Sequence, residues 1–290
     1  MSKLYVIPTP IGNLGDMTPR SIEALKESDI ILAEDTRNSL KLMNIFDIKS
    51  KLLSYHKFNE EDRSHEIIDR MLNDDILVSI ITDAGTPCVS DPGYVLVNEA
   101  REKGIEVIGF AGACASIVAL SISGIKSDKF AFYGFLARKD KSLKDDIDRI
   151  MKNDIKTFII YESPKRVENL FKILKEKMPN SKFSLCKELT KLHEHVDYDT
   201  AEKIYDLIKS DDNYKRGEYV IIGRNKEELD EQDMDGYTKV SLEAKIFDVM
   251  YTKKVSMKDA IKIVAKKEHL SKSEVFDASL SLKSFLELEV

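Results

Sequence analysis

The sequence predicts a two-domain α/β fold followed by a small helical appendage. Three observations carry that reading. Short apolar runs alternate with amphipathic segments over residues 4–223. The runs are nearly continuous in isoleucine, valine and leucine, as in strands covered on both faces of a parallel sheet. Residues 241–290 lose the alternation and keep a helical period, with Leu242, Ile246, Val249 and Met250, then Ala260, Ile261, Val264 and Ala265. A chain of 290 residues has room for about two domains and a minor unit. The expected boundaries are 1–120, 121–226 and 237–290.

Taken in order, residues 4–8 read as a strand, and Thr18-Pro19 as the cap and first turn of a helix. A second strand, 30–33, runs into Glu34-Asp35-Thr36-Arg37. Residues 52–55 form a short strand and 62–72 a helix. The apolar run 76–81 ends in Thr82-Asp83-Ala84-Gly85-Thr86-Pro87. A helix over 94–103, a strand over 105–110 and a small-residue helix over 113–123 complete the first domain. The second domain has strands at 130–135, 157–161, 183–186 and 219–223, with helices including 164–177 and 201–208. The acidic stretch NKEELDEQDMDG, residues 225–236, reads as a linker. Beyond it the appendage is helix-turn-helix-like, with Ser271 or Ser273 capping its last helix.

Composition narrows the function classes. No apolar stretch is long enough to span a bilayer, and the first residues lack a secretory h-region. Cys88, Cys114 and Cys186 are odd in number and far apart, so reduced thiols in a cytoplasmic protein are expected, not a disulfide framework or zinc site. His193-Glu194-His195 has strand spacing but no nearby third ligand, so no metal is expected. The formal net charge of −6 does not point to nucleic acid. It can still hide local basic faces, one around Arg138, Lys139, Lys141 and Lys144, the other spread over Lys253, Lys254, Lys258, Lys262, Lys266, Lys267 and Lys272.

Ligands of open parallel sheets bind beyond the carboxyl ends of the strands. Here those ends read TPIGNLGD (9–16), AEDTR (33–37), SYHKFNE (54–60), TDAGTPCVSDPGY (82–94) and AGACAS (111–116). Their polar and glycine content exceeds what connectors need. The first loop is neither G-x-G-x-x-G nor a P-loop. Pro8 and Pro10 also remove two backbone donors. Such a loop suits a ligand with little negative charge. Glycines 12, 15 and 85 serve either that ligand or a turn at positive φ.

The motifs TPIGNLGDMTPR, AEDTR, YHKFNE, TDAGTPCVSDPGY, GACAS, YESPKR and KELTK, in this order, resemble the bacterial 16S ribosomal RNA (cytidine-2′-O)-methyltransferases, the RsmI family of the tetrapyrrole methylase superfamily. The likeness runs from Leu4 to about Gly223. It implies a tetrapyrrole-methylase-like (class III methyltransferase) fold with two α/β domains about a cleft, a homodimer, and S-adenosyl-L-methionine as methyl donor. It implies the small ribosomal subunit, at its decoding region, as partner. By the same resemblance Pro10, Ile11, Asp83, Gly85, Thr86, Pro87, Val89, Ala115, Ser116 and Ile117 line the cofactor site, and Tyr161 and Glu162 face it from the second domain.

A ribose hydroxyl is a poor nucleophile until a base takes its proton. The candidates are Asp35, Glu34, Asp83, Asp91, His56 and Glu188. Asp35 is favoured because it leaves a strand end beside the first loop; the competing role is an ion pair with Arg37 that shapes the loop. Arg37, Lys57, Lys165, Arg166 and Lys191 are expected to meet RNA phosphates. Tyr55, Phe58 and Tyr94 either stack on a splayed base or belong to the core. The alternatives are a precorrin or diphthine type of methyltransferase in the same superfamily, and a non-catalytic ribosome-assembly protein that binds the cofactor.

Overall fold

The computed structural model describes residues 2–225, 241–268 and 270–287, with side chains to residue 280. The chain divides into two compact units, Met1–Lys226 and Glu227–Val290. The first unit holds two five-stranded sheets.

The first sheet is built from β1 (Lys3–Val6), β2 (Ile30–Ala33), β3 (Lys51–Ser54), β4 (Leu77–Ile81) and β5 (Glu106–Gly109). Its order is β3-β2-β4-β1-β5 and every pairing is parallel. The connections include α1 (Pro19–Glu27), α2 (Thr36–Ile45), α3 (Glu60–Asp74) and α4 (Tyr94–Glu102), and α5 (Ala115–Ile122) follows β5. Thr18 caps α1 by accepting from the Ser21 N–H, and Pro19 occupies the first turn. The period of two in the strands sorts the core onto two faces. Leu4, Ile30, Leu32, Val78 and Ile80 pack with Ile67, Ile68 and Met71 of α3 and Leu96 of α4. Ile7, Ile31, Ala33 and Ile81 pack with Leu25 of α1 and Met43 of α2.

The second sheet contains β6 (Phe130–Phe135), β7 (Thr157–Glu162), β8 (Lys182–Lys187), β9 (His195–Thr200) and β10 (Tyr219–Arg224), in the order β6-β7-β10-β8-β9. Only β6 and β7 run parallel; the other three pairings are antiparallel. One face, with Phe158, Ile160, Phe183, Leu185 and Ile221, is covered by α6 (Asp140–Met151), α7 (Val167–Lys177) and α8 (Ala201–Ser210). The other face, with Ile159, Cys186, Val220 and Ile222, packs against Ala119 and Leu120 of α5 and Ile11 of the first loop. This last cluster joins the two halves. Each such aliphatic side chain contributes about 1.5–3 kcal/mol when fully buried.

Strand and helix bounds lie within a few residues of those the sequence predicts. Two elements were not anticipated, α2 and β9, and α6 stands where a helix was expected between strands but given no bounds. The stretch read as a linker begins later than expected, because Asn225 is buried: its N–H donates to the Lys156 carbonyl and its side chain to that of Ile150. Residues 226–236 of that stretch lie outside the described residues.

The second unit contains α9 (Leu242–Lys253), α10 (Met257–Lys267) and α11 (Lys272–Glu287). Ile246, Val249, Ala260, Ile261, Val264, Ala265 and Val275 form its core. Ser271 begins the last helix with a reciprocal cap: its hydroxyl accepts from the Glu274 N–H, and the Glu274 carboxylate accepts from the Ser271 N–H. No helix among the described residues is long and apolar enough to cross a membrane.

Candidate functional site

The carboxyl ends of β1, β4 and β5 converge on the second sheet. Thr9 and Gly85 exchange backbone hydrogen bonds of 2.9 and 3.0 Å, and the Thr9 hydroxyl donates to the Thr82 carbonyl. These contacts bind the first loop to the loop after β4. That loop turns at Gly85, where φ is +90°, a conformation glycine adopts without strain. Gly12 has a different reason. A Cβ there would fall 2.3 Å from Cγ of Lys191, so glycine admits the segment that follows β8. The Thr86 hydroxyl donates to the Ala113 carbonyl, and the Ser116 N–H donates to the Tyr161 hydroxyl. Thus β7 is pinned to the start of α5.

Between these loops and the second sheet lies a cavity of about 390 Å³. Of the residues predicted to bind cofactor, Ile11, Asp83, Gly85, Thr86, Val89, Ala115, Tyr161 and Glu162 line it. Pro10 lines a smaller neighbouring cavity together with Asp83. Pro87, Ser116 and Ile117 are outside both linings; Ser116 holds Tyr161, and Ile117 is half exposed. Phe135 packs edge-on against Tyr161, with ring centroids 5.7 Å apart. The wall also contains Gly217, Glu218, Tyr219 and Val220, which sequence reasoning missed. Their signal was faint: a single glycine before a strand whose sheet position cannot be read locally.

The charge of the cavity is one-sided. Asp83, Asp91, Glu162 and Glu218 line it, with no lysine or arginine among the described lining residues. Asp91 is pushed up to about 6, first by burial and then by the nearby Glu34 carboxylate. Thr82 donates to Glu34 at 3.2 Å, which places that carboxylate at the back of the cavity wall. Glu162 is also raised by burial, an effect partly offset by the Ser163 N–H and by Arg166. Its Oε1 accepts from Ser163 at 2.7 Å. Its Oε2 accepts no hydrogen bond, although Arg166 Nη2 lies 3.2 Å away. That buried oxygen is held by the ion pair alone.

The remaining sequence candidates divide by what already occupies them. Asp35 caps α2 and grips Arg37 through both oxygens, at 3.0 and 2.7 Å. That hydrogen bonding holds its carboxyl at about 2, and Asp35 lines neither cavity. Glu188 accepts from Lys191 and from the Glu218 N–H, both at 3.0 Å. Lys191 also reaches Glu218, at 2.9 Å. Arg166 donates to the carbonyls of Leu136 and Ala137 besides facing Glu162. Lys191 and Arg166 therefore spend their charge inside the fold. Arg37, Lys57 and Lys165 are exposed. His56 donates its N–H to Asn59 and stands edge-on to Phe58, which is almost fully exposed. Tyr55 is buried and hydrogen-bonds Ser64, so it is a core residue; Tyr94 is exposed. No group of three metal-ligating side chains occurs among the described residues.

Residues 3–205 match the family model of tetrapyrrole (corrin/porphyrin) methylases. The ribosomal RNA small subunit methyltransferase I of Vibrio cholerae is 37% identical, over 94% of this chain and 92% of its own. The protein of that name from Bacillus subtilis is 36% identical, over 96% and 94%. Among solved structures, diphthine synthase superposes with a TM-score of 0.61 at 17% identity, covering 78% of this chain and 90% of the other. Uroporphyrin-III C-methyltransferase from Thermus thermophilus gives 0.51 at 17%, covering 77% and 94%. At such identities the structural likeness concerns the fold, which is that of the class III methyltransferases. Family match, full-length relatives and two-sheet architecture agree, and the chain belongs to the tetrapyrrole methylase family, among the proteins that resemble ribosomal RNA small subunit methyltransferase I.

Proposed function

We propose that this protein transfers a methyl group from S-adenosyl-L-methionine to the ribose 2′-oxygen of a cytidine in 16S ribosomal RNA, at the decoding region of the small subunit. The observation that carries the reading is the carboxylate-lined cavity, with no basic residue among its described lining residues. It favours a ligand bearing a sulfonium cation and opposes a phosphate. The small residues Ala84, Gly85 and Ala115 on the wall leave room for a nucleoside-sized cation. The names of the full-length relatives support small-subunit ribosomal RNA as acceptor. In keeping with that family, the reading takes the protein to be a cytoplasmic homodimer.

When bound, the donor would supply a methyl carbon already activated by positive sulfur, and the hydroxyl proton of the acceptor would be left to the protein. Asp91 is the group we assign to that proton. Its pKa of about 6 lies close to working pH, where a base is both deprotonated and strong enough to matter. Asp35, the carboxylate favoured on sequence, is occupied by Arg37 and too weak a base at about 2. In this reading Asp35 shapes the loop. Tyr161 and Glu162 hold the donor from the side of β7, and Thr82–Gly85 form the opposite wall.

Titration calorimetry tests the donor directly. S-adenosyl-L-methionine should bind with one site per chain, whereas ATP, which has the same nucleoside and a triphosphate, should give no heat. Equal binding of the two, or no heat from the sulfonium compound, overturns the reading.

A further inference from the structure

The smaller cavity beside the donor site carries an inference of its own. It measures about 230 Å³ and lies between the first loop and α2. Thr82 and Asp83 line both cavities, so a single stretch of chain separates them. The Asp83 carboxylate is fixed there by the Asp35 N–H at 3.2 Å and the Asn38 amide at 3.1 Å. Two of its acceptor positions remain.

The walls of the smaller cavity have the character of a ring-binding slot. Pro10 and Leu14 stand on one element, Leu42 and Ile45 on the other. Leu14 and Ile45 are about half exposed. On α2 the lining includes Ser39, 4% exposed, whose buried hydroxyl has no hydrogen-bond partner. A buried hydroxyl in that condition is unfavourable until a partner arrives. The volume falls below the roughly 300–1,000 Å³ of whole-ligand sites, and so suits one ring, not a macrocycle.

We propose that this cavity is the subsite for the pyrimidine base of the acceptor nucleotide, extruded from its strand. The inference rests on the reading of the protein as an RNA methyltransferase. A base has two apolar faces and a polar edge. Pro10 and Leu14 on one side and Leu42 and Ile45 on the other meet the faces, and the Ser39 hydroxyl, which both donates and accepts, meets the edge. Seating the base here sets its ribose against Thr82 and Asp83, on the boundary with the donor cavity. The same arrangement gives α2 a function that its sequence does not announce.

The test uses small ribosomal subunits from cells lacking this protein, with the full-length chain as wild type, Ser39→Ala and Ile45→Trp. Ser39→Ala removes only the unpartnered hydroxyl, so its melting temperature and S-adenosyl-L-methionine affinity should equal those of the wild type, while KM for subunits rises about 3- to 10-fold. Ile45→Trp changes an exposed side chain and closes the mouth, so kcat/KM for subunits should fall at least about tenfold. Wild-type subunit kinetics in both variants overturn the subsite and leave the proposed function standing. A fall in melting temperature or donor affinity that accounts for the Ser39→Ala effect makes Ser39 structural and also overturns it. No transfer by the wild type itself defeats the functional reading, and the subsite with it.

Discussion

Replacing Asp91 by asparagine is expected to slow methyl transfer about 100-fold or more without unfolding the protein. Loss of a positioned general base costs about 10²–10⁴ in rate. The side chain is isosteric, so the cavity keeps its shape. The linkage has a definite sign. Because the folded pKa of Asp91, about 6, lies above its ordinary 3.8, the ionised carboxylate is disfavoured in the folded state, and its burden appears as pH rises through that interval. Asparagine removes the burden, so the melting temperature at pH 7 should stay level or rise. The wild-type rate should climb as pH passes about 6 and then flatten, and the variant should lose that limb. A variant that keeps both its rate and its limb near pH 6 places the base elsewhere.

Replacing Arg166 by alanine should instead damage the fold. The guanidinium holds the carbonyls of Leu136 and Ala137 and faces Glu162, whose side chain is fully buried. Removing one member of a buried pair costs about 3–5 kcal/mol, because the other charge is stranded. The lower end, about 3 kcal/mol, applies here, since Glu162 can escape by binding a proton; in a unit of this size that is a fall of roughly 6–12 °C in melting temperature. Burial already raises the Glu162 pKa above its ordinary 4.5, and loss of Arg166 raises it further. A raised carboxylate is harmless while protonated in both states, so the deficit should be smallest below about pH 4.5 and grow with rising pH. Thermal melts from pH 4 to 8 check this. A variant that melts like wild type but loses affinity for subunits would return Arg166 to the RNA contacts.

These two residues also show where the sequence is readable. The loops that line the larger cavity from the first sheet stand at consecutive strand ends, so the loops were legible from the alternating α/β pattern, while Gly85, Thr86, Val89 and Ala115 within them came from the family resemblance. Arg166 looked like a phosphate contact because a charge in a loop carries no mark of its partners; only the fold brings Leu136 and Ala137 beneath it. Asp35 and Asp91 were both visible carboxylates. What separated them was Arg37 two residues away from the one and burial beside Glu34 for the other.

The missed elements have equally local causes. Helix α2 turns a serine, Ser39, toward the interior, which breaks the apolar stripe. Helix α6, expected but given no bounds, carries only Leu143, Ile147 and Ile150 on its buried face amid aspartates and lysines, so its ends are hard to read. Strand β9, HVDYDT, is a polar edge strand. The segment Gly217–Val220 reaches the cavity because β10 is inserted between β7 and β8, an order no local pattern encodes.

The most direct measurement incubates the purified protein with S-adenosyl-L-methionine labelled in its methyl group and with small ribosomal subunits from cells lacking the protein, then digests the RNA to nucleosides. The account predicts label in 2′-O-methylcytidine from 16S RNA and in no other nucleoside. Label in a base, or none in RNA while the donor still binds, would contradict it.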